Sequence, residues 1–139
     1  MALFLLVVGY NQYLIAMRVK FFKCAHCGNV VAKLVDAKTP VICCGEAMHE
    51  LLPVAINDEN RIYLPVVELK DGVLHIRGCG NPHCQPAEHG QLFFWVATEC
   101  GGYYVDPCGR HEFAVACGDD RPVALYKYCS RHGLFKVDL

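Results

Sequence analysis

Two closely spaced cysteine pairs constrain this chain more than any other feature. Cys24 and Cys27 form a Cys-x-x-Cys pair, and the adjacent pair Cys43-Cys44 follows after fifteen intervening residues. A Cys-x-x-Cys turn presents two sulfurs on one side of the backbone, so four such thiolates can surround one tetrahedral ion. Thiolate-only sites of this kind hold zinc or iron. The pattern therefore predicts a four-cysteine metal site in the N-terminal part of the chain.

The total cysteine content allows two interpretations. The chain has ten cysteines and seven histidines among its 139 residues. A secreted disulfide scaffold would use the cysteines in bridges, whereas an intracellular metalloprotein would use them as thiolate ligands. The short spacings of the two pairs favour metal ligation over disulfides. A thiol-rich chain of this kind is expected in the reducing cytoplasm.

Composition and charge exclude several other classes of protein. Hydrophobic residues make up 54% of the chain and charged residues 19%, which is not the composition of a disordered protein. The formal net charge is −1, so no basic surplus indicates a nucleic-acid partner. We therefore expect a folded protein that does not bind nucleic acid.

The first sixteen residues are apolar and carry no charge. They lack the positively charged start of a secretory signal and are too short for a membrane span. They are interpreted as a start assigned upstream of Met17 in error or as a short apolar extension packed on the body, with a membrane-facing anchor as a third alternative. No membrane partner is expected.

The rest of the chain has the pattern of an all-β protein. Residues 53–62 are rich in Pro, Asn and Asp, which is typical of a linker, and no later segment has a convincing helical period. Short β-prone runs separated by turn signals predict a β-sandwich. The predicted strands are residues 63–69, 73–77, 92–98, 103–105, 113–117 and 123–128. The predicted division is an extension 1–16, a metal module 17–52 and a sandwich domain 53–139.

A second group of candidate ligands lies in the second half of the chain. His83 and His89 are six positions apart, and Cys129 is followed three positions later by His132. One thiolate with several imidazoles suits iron, zinc or copper. Taken singly, each histidine is better explained as a surface or capping residue.

These motifs resemble those of a known family. Residues 22–51 look like the desulforedoxin module that opens desulfoferrodoxins, with all four cysteines present. Residues 128–136 resemble the Cys-Asn-x-His-Gly-x-Trp signature of superoxide reductases, and residues 81–89 resemble the family's His-Pro-Met-x-x-x-His loop. The resemblance extends over about residues 18–136 and implies a desulforedoxin-like module followed by an immunoglobulin-like β-sandwich.

The resemblance also implies cofactors, ligands and an activity. It implies two mononuclear iron sites, with zinc as the alternative metal in either. The residues that it assigns to metal are Cys24, Cys27, Cys43, Cys44, His83, His89, Cys129 and His132. The four-cysteine iron would relay electrons, and the second iron would reduce superoxide to hydrogen peroxide in the response to oxidative stress. A rubredoxin-like electron donor and a homodimer are the implied partners.

The second site departs from the family pattern at one ligand. The family places a Lys-His-Val-Pro motif where this chain has Ile62, Tyr63, Leu64 and Pro65, so a histidine ligand and a lysine are both replaced. Tyr63 could ligate as a phenolate, leave its position to water or point away, and it is included in the catalytic set with His83, His89, Cys129 and His132. The alternative function is an electron-transfer or metal-binding protein whose second site has lost or changed catalysis. A zinc-stabilised structural module is a third.

Several further groups have no assigned role. His75 could replace the missing imidazole, but its place in an apparent strand favours an ordinary surface position. Arg61 could replace some of the lost lysine charge. Five cysteines outside the motifs either form a further site or pack as small apolar residues, and they are Cys79, Cys84, Cys100, Cys108 and Cys117. Cys84 lies inside the His83–His89 loop and could become a ligand.

Overall fold

The computed structural model describes residues 19–78 and 91–139, and within these ranges it is built of β-strands. The predicted all-β fold is confirmed. The first strands are β1 (Lys20–Lys23), β2 (Val30–Lys33), β3 (Ile42–Cys43), β4 (Glu46–Ala47) and β5 (His49–Leu51). A 3-10 turn at Arg61–Tyr63 precedes β6 (Val66–Lys70), β7 (Val73–Arg77), β8 (Leu92–Thr98), β9 (Gly102–Val105), β10 (Glu112–Ala116), β11 (Pro122–Cys129) and β12 (Gly133–Asp138).

The N-terminal strands form a small unit, called the metal module below because it carries the four cysteines. Strands β2, β1 and β5 make one antiparallel sheet in that order, and β3 and β4 form a separate hairpin. Asp36 ties the turn after β2 to both strands, because its carboxylate accepts from Lys33 Nζ at 2.8 Å and from Lys20 Nζ at 3.2 Å. These ammonium groups, with the Lys38 backbone N–H, hold the pKa of Asp36 well below its usual range.

The later strands form two facing sheets. One has the order β10-β7-β6 and the other the order β12-β11-β8-β9, and all neighbouring pairs are antiparallel. Their inner faces meet in a core whose buried members are Leu74, Ile76, Phe94, Val96, Cys117 and Leu125. Facing sheets with alternating inward residues define a β-sandwich.

The four-stranded sheet is covered on both faces. Successive side chains of a strand point to opposite faces, and here both sets are apolar. Phe93 and Trp95 of β8 point away from the sandwich core and pack against Phe21 of β1, with ring centroids 5.7 and 5.9 Å away. Tyr126 and Tyr128 of β11 join the same cluster. The metal module therefore packs on the outer face of the sandwich through an aromatic layer.

Two details differ from the sequence prediction. The strand predicted at 63–69 begins only at Val66, because residues 61–63 form the 3-10 turn. A separate turn precedes it, in which Asn57 Oδ1 accepts from the backbone N–H groups of Glu59 and Asn60. Strand β12 was not predicted. Leu134 and Phe135 are both buried, at 1% and 0% exposed. Strand β12 therefore lacks the alternation of apolar and polar residues that marks a strand with one solvent-exposed face. The remaining strands agree with the prediction to within a residue at each end.

The N-terminal extension 1–16 lies outside the described residues. Among residues 19–78 and 91–139 no helix is long and apolar enough to cross a membrane. An isolated bridge joins Pro53 to Leu134, next to the proposed boundary between module and sandwich.

The packing of Trp95 gives a test of the fold. A methyl group added at Gly102 would lie 2.6 Å from Trp95 Cε2, whereas one added at Gly101 would meet nothing within 4 Å. We expect Gly102→Ala to lower the free energy of unfolding by ~1–3 kcal/mol, because overpacking forces the ring to move. Gly101→Ala is the matched control and should stay near the parent value. Denaturant unfolding followed by the emission of Trp95, the chain's one tryptophan, measures both. Equal effects of the two substitutions would contradict the packing described here.

Candidate metal centres

The first cysteine pair lies in a tight turn between β1 and β2. The Cys24 backbone N–H donates to Asn29 O at 2.9 Å, and the Gly28 N–H donates to Cys24 O at 3.1 Å. Gly28 has φ +80°, a left-handed conformation that glycine adopts without strain. The turn also lets the Cys27 N–H donate to Cys24 Sγ at 3.5 Å.

The second cysteine pair lies at the tip of the β3–β4 hairpin. Cys43 ends β3, and Cys44 and Gly45 form the two-residue turn with φ +55° and +78°. Two positive φ values in succession are typical of a type I′ hairpin turn. The left-handed backbone at Cys44 explains how adjacent cysteines can reach one point, since Cys43 points from a strand and Cys44 from the turn.

The four sulfurs form one group of the size that a metal ion needs. All four lie within 4.8 Å of one another, with Cys27 and Cys43 3.6 Å apart and Cys43 and Cys44 3.9 Å apart. An ion with metal–sulfur bonds of ~2.3 Å in a tetrahedron requires sulfur–sulfur distances of ~3.8 Å. The donor set therefore fits zinc or iron. Among the described residues no other group of three or more potential ligands meets the same distance limit.

The surroundings of the cysteines make the thiols unequal. The backbone N–H of Cys27 lowers the pKa of Cys24 to about 6. The neighbouring Cys27 and Cys24 sulfurs raise the pKa of Cys44 to about 12, and the same two neighbours raise that of Cys43. In the absence of a metal, Cys24 therefore ionises before Cys43 and Cys44, as expected when thiols share one small volume.

One side of the first centre is open. Cys24 is buried at 2% exposed, whereas Cys27 and Cys44 are exposed. His26 and Glu46 bridge the two turns, with 3.0 Å between His26 Nε2 and the Glu46 carboxylate. The Cys24 side of the centre is thus enclosed by the module, and the Cys27 and Cys44 side is accessible to solvent.

Two of the predicted ligands of the second centre lie together. Cys129 ends β11, His132 lies in the turn before β12, and their Sγ and Nδ1 atoms are 3.4 Å apart. For an ion ~2.3 Å from the sulfur and ~2.1 Å from the nitrogen, the sulfur–metal–nitrogen angle would be about 100°. The two side chains could therefore occupy neighbouring coordination positions on one ion. Burial, Lys127 and Arg131 lower the pKa of His132. His83 and His89, predicted as further ligands, lie outside the described residues, as do Cys79 and Cys84.

Tyr63 lies against the second centre. Its ring stacks on the His132 imidazole at 3.9 Å between centroids and 16° between planes. The tyrosine that replaces the family's histidine is therefore packed on a candidate ligand. Ile62 and Arg61 beside it are exposed.

Lys127 is a member of this region that the sequence analysis missed. It is 1% exposed, and its Nζ donates to the Tyr63 backbone oxygen at 2.7 Å. Its position could have been noticed from the alternation of β11, because Lys127 occupies an inward position between Leu125 and Cys129.

The other candidates lie away from both centres. His75 is exposed on the outer face of the three-stranded sheet, opposite Glu68, in agreement with a surface role. Cys100 and Cys108 are exposed and Cys117 is buried in the sandwich core. None of these three belongs to a described group of ligands.

Comparison with known proteins finds relatives that share one name. No protein-family model matches the chain. Desulfoferrodoxin of Syntrophotalea carbinolica is 24% identical over 88% of this chain and 98% of its own length, and desulfoferrodoxin of Nitratidesulfovibrio vulgaris is 26% identical over 92% and 98%. A desulfoferrodoxin homolog of Archaeoglobus fulgidus is 26% identical over 83% and 93%.

A solved structure has the same fold as this chain. The superoxide reductase from Treponema pallidum superimposes with a TM-score of 0.67, covers 86% of this chain and 98% of its own, and is 19% identical in sequence. The chain is therefore similar to desulfoferrodoxins along nearly their whole lengths, and its fold is similar to that of a superoxide reductase.

Proposed function

We propose that this protein is an iron oxidoreductase that reduces superoxide to hydrogen peroxide at the Cys129–His132 centre, with the four-cysteine centre as the electron relay. The observation that carries the proposal is the presence of two donor sets of different character. Four sulfurs lie within 4.8 Å of one another, and a separate thiolate and imidazole lie 3.4 Å apart. His83 and His89 are the proposed remaining protein ligands of the second centre.

The residues of the second centre are suited to a metal that acts on an anion. Iron bound there would supply one-electron reduction. Cys129 is fully buried, and the lowered pKa of His132 keeps its imidazole neutral, which is the form that binds metal. Lys127 and Arg131 act electrostatically on His132, and their positive charges favour the approach of superoxide.

The first centre is suited to receive electrons from outside. Cys27 and Cys44 are exposed, so a redox partner can approach two of the four sulfurs. A rubredoxin-like protein is the proposed donor. A homodimer and a cytoplasmic location complete the proposal.

One observation favours a second function. The Tyr63 ring lies flat on His132 at 3.9 Å, in the position of the family's histidine. A centre with one imidazole fewer would bind its metal differently. The alternative is therefore an electron-transfer or metal-binding protein of the same fold whose second site has lost or changed catalysis.

Metal content and the response to superoxide distinguish the two functions. We expect two irons per chain, a visible ferric-thiolate spectrum, and oxidation of the second centre when superoxide is mixed with the reduced protein. One iron, or zinc in the second centre, with no response to superoxide would support the alternative. A colourless protein with zinc in both centres would contradict the reductase and the electron-transfer function, and would indicate a structural module.

Removal of one thiolate tests the first centre. Cys27→Ala should lower the metal content by about one ion per chain, because a structural site of this type needs all four ligands. The second centre should still react once with superoxide when it is reduced chemically. Cys100→Ala, which changes an exposed cysteine outside the group, is the control. Elemental analysis showing equal metal content in Cys27→Ala and the parent would rule out the assignment of Cys27.

Substitution of Tyr63 tests the second centre. We expect Tyr63→His to accelerate superoxide decay by about tenfold, or ~1.4 kcal/mol in barrier, because it restores an imidazole at this position. Tyr63→Phe keeps a ring on His132 and should leave the rate unchanged. Rapid mixing with superoxide measures all three proteins, and the parent should react well below the diffusion limit.

Each substitution has a result that would contradict its expectation. A Tyr63→His protein no faster than the parent would mean that a missing imidazole does not limit the rate. A large loss of rate in Tyr63→Phe would mean that the phenol oxygen itself takes part.

A further inference from the structure

A groove separates the metal module from the edge of the sandwich. One wall is the turn at residues 27–29, the floor is formed by β8, and the far wall by β9 and the loop after it. Its volume is about 730 Å³, within the range of ~300–1,000 Å³ that is usual for small-molecule sites. This feature is called the aromatic groove below.

The floor and far wall of the aromatic groove carry a row of rings. Phe93 lies 5.8 Å from Tyr104 and 5.2 Å from Tyr128 between centroids, and Trp95 lines the same surface. Tyr104 is 64% exposed although it contacts this row. Exposed aromatic faces that line a concave surface favour a flat ligand, which can stack on them.

A buried hydroxyl adds an independent observation. Tyr128 lines the groove and is 2% exposed, and its hydroxyl has no hydrogen-bond partner among the described residues. A buried hydroxyl without a partner is costly, so such groups are rare in native structures. The hydroxyl oxygen has almost no accessible surface, so a ligand with a carbonyl or ring nitrogen would supply the missing acceptor after a shift of the Tyr128 side chain towards the groove.

The charge of the groove limits the choice of ligand. Among the described residues that line it, Asp106 is the one charged side chain. Its carboxylate also accepts from the Cys108 N–H at 2.8 Å, which fixes it in place. Lys23 Nζ lies 5.8 Å from the centroid of the Tyr128 ring but does not line the groove. The Asp106 carboxylate is therefore the charge that a ligand would contact, and an uncharged ligand is favoured over an anionic one.

One wall of the groove includes a sulfur of the first centre. Cys27 lines the groove, and its Sγ lies 3.6 Å from Cys43 Sγ. A flat ring in the groove would therefore lie beside a thiolate of a candidate redox centre. This position favours an electron carrier over an inert compound.

We propose that the aromatic groove binds a planar, uncharged fused-ring compound of the flavin type, stacked on Tyr104 and Trp95 with one edge towards Cys27. Binding needs only the groove and does not depend on superoxide chemistry at the second centre. The proposal can therefore fail while the proposed function holds, and the reverse is also true.

Trp95 provides a direct measurement, because it lines the groove and is the one tryptophan of the chain. Riboflavin is titrated into the full chain carrying zinc in the four-cysteine site, which avoids quenching by ferric iron. We expect saturable quenching of Trp95 emission in the micromolar range. Isothermal titration calorimetry under the same conditions should give the same dissociation constant.

Matched substitutions locate the ligand. Tyr104→Ala should weaken riboflavin binding by about tenfold, the scale of a lost ring-stacking contact. Tyr103→Ala removes the neighbouring ring, which does not line the groove, and should leave binding unchanged. Both tyrosines are exposed on β9, and circular dichroism verifies that each variant is folded.

A charged analogue tests the role of Asp106. Flavin mononucleotide carries a phosphate of charge about −2 and should bind about fivefold more weakly than riboflavin, since it meets the Asp106 carboxylate. Asp106→Asn should remove most of this difference while keeping an acceptor for the Cys108 N–H. Absence of saturable riboflavin binding, or equal losses in Tyr104→Ala and Tyr103→Ala, would overturn the proposal.

Discussion

Burial of the four-stranded sheet on both faces is the constraint on which the rest of the structure depends. Leu125 of β11 points into the sandwich core, while Tyr126 and Tyr128 point towards the metal module. The same strand ends at Cys129, and β1, whose Phe21 packs on the outer aromatic layer, leads directly into Cys24. One sheet thus fixes the position of both candidate centres, because each begins where a strand anchored on that sheet ends.

The parts of the fold that could be predicted are those with local signals. Strands β7 and β8 were predicted to the residue, since β-prone runs between turn signals need no knowledge of the rest of the chain. Strand β12 was missed because Leu134 and Phe135 are buried on opposite faces, so the alternation that marks a half-exposed strand is absent. The strand predicted from residue 63 was too long, since residues 61–63 form a 3-10 turn that directly follows the asparagine-stabilised turn at residues 57–60.

The same distinction applies to the candidate centres. The four cysteines are close in sequence, and the left-handed backbone at Cys44 resolves the geometric difficulty of an adjacent pair. The contact between Lys127 and Tyr63 joins positions 64 residues apart, and no local pattern could have indicated it. Stacking of Tyr63 on His132 is a tertiary contact of the same kind. The roles of His83 and His89 stay predictions, because these residues lie outside the described ranges.

Because the metal module and the sandwich share one aromatic layer, neither part is expected to be stable and soluble without the other. A fragment without residues 19–52 would expose Phe93, Trp95 and Tyr126 together on a flat sheet face. A contiguous apolar face of this kind promotes self-association. A chain that lost the N-terminal part, by evolution or by engineering, would therefore need polar replacements on β8 and β11. The residues on the outer face of the sandwich thus depend on whether the metal module is present.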